Sequence, residues 1–260
     1  MQVVILCGGK GSRLGDVTGG TIPKPMVSIG DRPILWHIMR HYASAGHRDF
    51  VLCAGHLSWS IKDYFLSFHA RHADLSVSTS KPNSIQFHGE HQTDDWNVTI
   101  AETGAETQTA GRLRRVSKYL TGDNFMLTYG DGVSDVDLGS LERFHHKHGK
   151  AVTMTGVVPP GRFGELALEG DRISEMQEKP TIGDRFINAG FMIMRRDFIS
   201  RFVPSDADGV MLERQPLADA ATHGEMYLYK HRGFWQCMDT ARDWELLNRL
   251  WMEGNPPWTR

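Results

Sequence analysis

Near the start of the chain a short apolar run opens into Leu6-Cys7-Gly8-Gly9-Lys10-Gly11-Ser12-Arg13-Leu14. Glycine lets backbone N–H groups approach a ligand closely. Successive N–H groups then form a concavity suited to anions, and Arg13 adds a planar fork that matches phosphate oxygens. A dinucleotide fingerprint needs a third glycine where Leu14 stands. Neither Gly9-Lys10 nor Gly149-Lys150 completes a G-x-x-x-x-G-K-[ST] loop. The segment is a phosphate loop of another type or a tight turn, and the loop alone does not separate the two. Further on, Lys24 stands between prolines in Thr21-Ile22-Pro23-Lys24-Pro25-Met26. Proline fixes φ, and a stiff frame suits one ammonium that must be held in place. The competing reading is a solvated lysine in an extended turn. Asp131 and Asp239 each follow an apolar stretch in a short turn. Either one alone reads as a turn or cap residue.

The elements that must position these groups alternate strand and helix. Val3 to Leu6 is a continuous β-branched run, as expected of a strand buried on both faces. Pro33 opens a helix carrying Ile34, Leu35, Ile38, Met39 and Tyr42, with Gly46 at its end. Phe50 to Cys53 is a second strand, and Ser58 is a candidate cap for a helix through Phe68. Residues 75–101 differ, with short alternating pieces that suggest antiparallel strands or an excursion from the main sheet. A helix around Arg112 to Tyr119 leads into the strand Phe125 to Tyr129, which stops at Gly130-Asp131-Gly132. A helix near 138–146, strands at 151–158, 164–168 and 186–194, and helices at 211–221 and 242–251 follow. This alternation implies an α/β fold with a mostly parallel sheet covered by helices. Ligands of such sheets sit beyond the carboxyl ends of the strands, where the Gly8–Arg13 and Gly130–Gly132 turns fall.

The 260 residues suit one large α/β domain or two small ones. A net charge of −2 gives no support for nucleic acid as a general partner. Cys7, Cys53 and Cys237 are far apart, odd in number and form no C-x-x-C, which argues against a disulfide framework or structural zinc. The N-terminal apolar run is too short for a signal segment and nothing approaches membrane-spanning length, so a cytoplasmic location is expected by default. The Asn97-Val98-Thr99 sequon then carries no glycan. His145, His146 and His148 sit at a helix end beside Lys147 and Gly149 and read as a solvated polar face. Arg114 and Arg115 read the same way. Trp36, Phe65, Trp244 and Trp251 have helical spacing with their neighbours and read as core. Gly161-Arg162-Phe163-Gly164 reads as a sugar-side loop or a plain hairpin turn.

The glycine loop followed by Pro23-Lys24-Pro25-Met26 resembles the signature of the sugar-1-phosphate nucleotidyltransferases. One branch, the glucose-1-phosphate cytidylyltransferases, is favoured by further segments. They include Pro33 to Met39, Trp96-Asn97-Val98-Thr99, Gly111-Arg112-Leu113, Thr128 to Val133, Pro159 to Gly164, Gln177-Glu178-Lys179-Pro180, Ile187-Asn188-Ala189-Gly190-Phe191 and Gly233 to Thr240. The matches run in order along nearly the whole chain. The resemblance implies a Rossmann-like α/β fold with a nucleotide-binding half (about 1–132) and a smaller sugar-binding half (about 133–260). It implies the reaction of CTP with α-D-glucose 1-phosphate to give CDP-glucose and pyrophosphate, with Mg²⁺. It also implies a homo-oligomer, with residues 75–101 as the candidate interface, and a place in deoxysugar synthesis for surface polysaccharides.

By the same resemblance Arg13, Lys24 and Asp131 are catalytic. Leu6, Gly8, Gly9, Gly11, Ser12, Arg13, Lys24, Gly111, Arg112 and Asp131 bind the nucleotide. Tyr129, Glu178, Lys179, Asn188 and Gly190 bind the sugar phosphate, and Asp131 and Asp239 hold the metal. Three departures stand out. Ile22 replaces a second lysine that the family often has, the Gly15–Thr21 turn looks one residue longer, and Cys237 stands where proline is common. Two alternatives remain beside this reading. One is the same chemistry with UTP, dTTP, GTP or another sugar phosphate; the other is a non-catalytic subunit of the same fold. A dehydrogenase is disfavoured at Leu14.

Overall fold

Val3-Val4-Ile5-Leu6 is buried at every position, which a strand achieves only with layers on both faces. The computed structural model describes residues 1–11, 14–81, 84–88, 94–158, 165–169, 172–177 and 186–259. It places this run inside a seven-stranded sheet. We number the strands of that sheet β1 (Val3–Leu6), β2 (Asp49–Ala54), β3 (Asn97–Glu102), β4 (Asn124–Tyr129), β5 (Val152–Val157), β6 (Ile187–Arg195) and β7 (Met226–His231). Their spatial order is β7-β5-β6-β4-β1-β2-β3. Neighbours run parallel except at β6, which is antiparallel to both β4 and β5. The mostly parallel sheet expected from the alternation is present, and β6 joins β4 to β5 within it.

Among the described residues seven helices of six or more residues pack on it: α1 (Ile34–Ser44), α2 (Ser58–Leu66), α3 (Thr109–Val116), α4 (Leu138–His148), α5 (Asp197–Phe202), α6 (Gln215–Thr222) and α7 (Ala241–Met252). Strand alternation divides the core. Val3, Ile5, Phe50 and Leu52 pack with residues of α1, α2, α4 and α7. Val4, Leu6, Val51 and Cys53 pack with residues of α3, α5 and α6 on the other face. Each such aliphatic or aromatic side chain contributes about 1.5–3 kcal/mol by leaving water. Phe65, Trp244 and Trp251 are half-buried against the first of these cores, as their spacing suggested, whereas Trp36 is half-buried with its Nε1 donating to Asp94 Oδ2 at 2.7 Å.

Several local expectations need correction. Ser58 is the first helical residue of α2, not its cap; Leu57 holds that position with φ +52°, and the Ser58 hydroxyl donates instead to Glu102. Helix α6 starts at Gln215 rather than 211, because Pro216 is tolerated only in a first turn. Of residues 75–101, Asp74–Val77 and Ile85–His88 form a separate antiparallel hairpin. Asn97–Glu102, in contrast, joins the main sheet as its edge strand β3, parallel to β2. His145 is buried, not solvated: its Nδ1 lies 2.7 Å from Thr153 Oγ1, and burial pushes its pKa down to about 4. His148 shares the same hydroxyl. Arg114 and Arg115 are tied to the 203–208 segment through Val203 O and Asp208 rather than left to solvent. No helix among the described residues is long and apolar enough to cross a membrane.

Candidate active site

Beyond the carboxyl ends of β1 and β4 lies a cleft of about 530 Å³, a volume suited to a nucleotide-sized ligand. Leu6, Gly8, Gly9 and Gly11 line one wall. Residues 105–109 face them, and Tyr129, Gly130, Asp131 and Lys24 close the floor. Arg112 lies beneath the glycine loop and is only 4% exposed. Its Nη1 donates to Thr103 Oγ1 at 2.7 Å and Gly104 O at 2.9 Å, and its Nη2 donates to Gly8 O at 2.9 Å. A Cβ on Gly8 would lie 1.9 Å from Nη1, so only glycine lets the guanidinium sit so close under the loop. Burial holds the guanidinium pKa below its usual value, yet at that basicity the group keeps its charge. Its partners are dipoles, so its positive charge is left to act on whatever occupies the loop above.

Lys24 begins a 3-10 turn, Lys24–Met26, closed by Met26 N–H to Pro23 O and Val27 N–H to Lys24 O. The side chain is 10% exposed. Its Nζ donates to Asp131 Oδ2 at 2.6 Å and to Asp239 Oδ1 at 2.5 Å. Asp131 follows β4, and Asp239 follows the short strand Trp235–Cys237, which pairs with Gly132–Ser134. Met238 N–H to Asp131 O fixes the two turns together. The start of α7 completes the frame: Thr240 and Asp243 form a capping box, and Asp243 Oδ2 accepts from the Asp239 N–H. Burial alone would lower the Lys24 pKa, but the charges and hydrogen bonds of Asp131 and Asp239 outweigh it and the net shift is upward. Lys24, Asp131 and Asp239 thus meet at one point. Cys237 lies alongside, its Sγ 3.8 Å from Asp239 Oδ2 and its thiol pushed up to about 11 by burial and by Asp239.

Two oxygens of different carboxylates converge on a single cation here, and the ammonium marks where a cation is stabilised. Two hard oxygen donors with room for phosphate oxygens match the way Mg²⁺ is held, so the residues present fit that ion.

Tyr129 OH donates to Glu213 Oε1 at 2.6 Å, and Asn188 Nδ2 donates to Tyr129 OH at 3.3 Å. Glu213 Oε2 accepts from Thr109 Oγ1. Burial and the Glu213 carboxylate both push the Tyr129 phenol upward, so it stays protonated and donates. Gly190 has φ +86°, and a Cβ there would meet Tyr129 Cδ2 at 2.6 Å, so its glycine makes room for that ring. Gly111 in α3 packs against the Ala207 carbonyl rather than lining the cleft. Glu213 carried no sequence signal, since its segment reads as helix. Ser12, Arg13, Glu178, Lys179 and the 159–164 loop lie outside the described residues.

At the rim, Lys10 of the glycine loop pairs with Glu106 across the cleft at 2.8 Å. The pair is exposed, and the Lys10 hydrogen bond and charge hold the Glu106 carboxyl below its usual pKa. A polyanion entering the cleft must compete with this carboxylate for Lys10. Glu106→Gln is expected to lower the KM for nucleotide by about threefold at low ionic strength, an effect that fades with added salt. A KM unchanged at both ionic strengths would remove Glu106 from this role.

A family profile described as nucleotidyl transferase matches residues 2–236. The chain belongs to the nucleotidyl transferase family. Among its relatives, the glucose-1-phosphate cytidylyltransferase of Salmonella typhi is 41% identical over 99% of this chain and 98% of its own length. The protein of that name from Salmonella typhimurium strain LT2 is also 41% identical, over the same shares. Of solved structures, HddC from Yersinia pseudotuberculosis superposes with a TM-score of 0.69 over 96% of this chain and 99% of that one, at 21% identity. At that identity the likeness speaks for the fold alone.

Proposed function

We propose that the protein transfers a cytidylyl group from CTP to α-D-glucose 1-phosphate, giving CDP-glucose and pyrophosphate. The reading rests above all on Lys24 held between Asp131 and Asp239 at the floor of a glycine-lined cleft. Identity to glucose-1-phosphate cytidylyltransferases over nearly the full length supports the choice of substrates. A phosphate oxygen of the sugar phosphate bonds the α-phosphorus of CTP. The bond to the bridging β-phosphate oxygen breaks, and pyrophosphate leaves with the electron pair. The nucleophile is already an anion, so no general base is needed, and catalysis reduces to positioning and charge neutralisation.

The Gly8–Gly11 amides, with the buried charge of Arg112 below them, cradle the β- and γ-phosphates. Lys24 neutralises charge where the two anions meet, and its stiff turn fixes it there. Tyr129 and Asn188, oriented by Glu213, face the sugar-binding half formed by residues of about 133–260. Arg13, Lys179 and Glu178 complete the set by resemblance. Mg²⁺, held by Asp131 and Asp239, supplies further charge neutralisation at the phosphate oxygens when bound. Pyrophosphate release measured with CTP, UTP, dTTP and GTP against several sugar 1-phosphates tests the reading. Turnover should be greatest for CTP with glucose 1-phosphate, and a preference for another pair would replace it.

The assembly is proposed to be a homo-oligomer built through the Asp74–His88 hairpin. Its register pairs Leu75 with Phe87 and Val77 with Ile85, so all four apolar side chains share one face, and all four are exposed. A two-stranded ribbon is marginal in water without a partner surface. Phe87→Glu with Val77→Ser is expected to reduce the mass found by light scattering while the circular dichroism spectrum is kept. An unchanged mass would place the interface elsewhere.

A further inference from the structure

We propose that a second cleft, at the end of the sheet opposite the glycine loop, binds a small phosphorylated ligand. This cleft of about 810 Å³ is lined by Arg114, Asp123, Asn124, Arg195, Arg196 and Asp197 among others. Strand β4 starts in it at Asn124 and ends in the active cleft at Tyr129. The two clefts are therefore one strand length, roughly 20 Å, apart. Nothing in the transfer reaction uses this end of the molecule.

The charges there are unevenly matched. Asp197 already accepts from Nε and Nη2 of Arg195, at 3.1 and 2.7 Å, and Arg201 lies 3.5 Å from it. Arg114 donates through Nη1 to Val203 O at 3.0 Å, and Arg196 through Nη1 to Leu120 O at 3.2 Å. Among the described residues, neither guanidinium has a carboxylate within ion-pair distance. A carbonyl contact orients a guanidinium without cancelling its charge, and each group keeps N–H donors in a planar fork. Two oriented forks with no carboxylate at ion-pair distance face one cavity, which Asp123 also lines, and phosphate oxygens satisfy such forks best. The volume exceeds what inorganic phosphate fills and suits a phosphate ester with a polar remainder.

Helix α3 links this cleft to the active one. Thr109 lines the active cleft, Arg112 lies under the glycine loop, and Arg114 faces the second cleft.

Hydrogen–deuterium exchange of the full chain tests the site, with inorganic phosphate and glucose 6-phosphate as separate probes. Glucose 6-phosphate should slow exchange in residues 117–124 and 195–203. Arg196→Gln, an exposed position whose loss leaves the Arg114–Val203 contact intact, should weaken that protection by about tenfold. Equal protection from inorganic phosphate would keep the site but make the free anion its ligand. Protection confined to the glycine loop, no protection at all, or equal protection in Arg196→Gln would overturn the proposal. Arg114→Gln with Arg196→Gln should abolish the protection of residues 117–124 and 195–203, while protection of the glycine loop by added CTP persists.

Discussion

Lys24→Ala is expected to lower turnover by about 10²–10³-fold, the scale found when one preorganised charge-stabilising donor is removed from an active site. Lys24 makes both of its short hydrogen bonds to carboxylates that converge on its Nζ. Its removal deletes a cation from the point where two substrate anions must meet, and leaves Asp131 and Asp239 facing each other. Charge lost from the transition state should appear mainly in kcat, because the ammonium is fixed before substrate arrives. The raised Lys24 pKa means that its ion pairs stabilise the fold fully below the unfolded lysine value near 10.4. That contribution is lost only as pH rises through the still higher folded value. The group therefore stays charged throughout the neutral range, and turnover there should show no titration from it. Steady-state kinetics beside far-UV circular dichroism check the outcome. Turnover within threefold of wild type in a folded Lys24→Ala protein would take Lys24 out of the mechanism.

Arg112→Met is expected to give the largest loss of stability, about 3 kcal/mol or more, because it strands several buried acceptors at once. Gly104 O and Thr103 Oγ1 lose the donor this guanidinium supplies, and Gly8 O keeps only the His56 N–H, while water cannot readily replace the group at a residue 4% exposed. At this chain length that corresponds to a fall in Tm of roughly 6–12 °C. Nucleotide KM should rise as well, since the same charge lies under the loop. Arg112→Lys keeps the charge but cannot reach both walls, and should fall between wild type and Arg112→Met in both measurements. A melting temperature unchanged in Arg112→Met would show that the three acceptors find other partners.

Local chemistry made the frame of this fold legible. Val3–Leu6 declares a doubly buried strand by four consecutive apolar residues, and Pro33 with the 3.6-residue repeat after it declares α1. What local pattern does not carry is contact between distant segments. Lys24 and Asp239 are 215 residues apart in sequence, and only the ordered family motifs point to their meeting. Arg112 reads as a triphosphate ligand by resemblance, yet its side chain faces inward and supports the loop's backbone. That inward turn depends on Gly8 and Gly55 leaving space for it, a tertiary condition with no periodic signature. Glu213 was invisible for the same reason, and His145 reads as solvated only until the Thr153 hydroxyl is seen beneath it.

The central claim is that one cleft gathers the two anions around Lys24, Asp131 and Asp239. A crystal structure of the protein with CTP, Mg²⁺ and glucose 1-phosphate measures it most directly. The claim predicts nucleotide phosphates against the Gly8–Gly11 amides, and Lys24 Nζ within about 2.7–3.2 Å of a phosphate oxygen. Both aspartates should face the same group. Nucleotide phosphates seated away from the glycine loop, or Lys24 still bound only to its aspartates with substrate present, would contradict it.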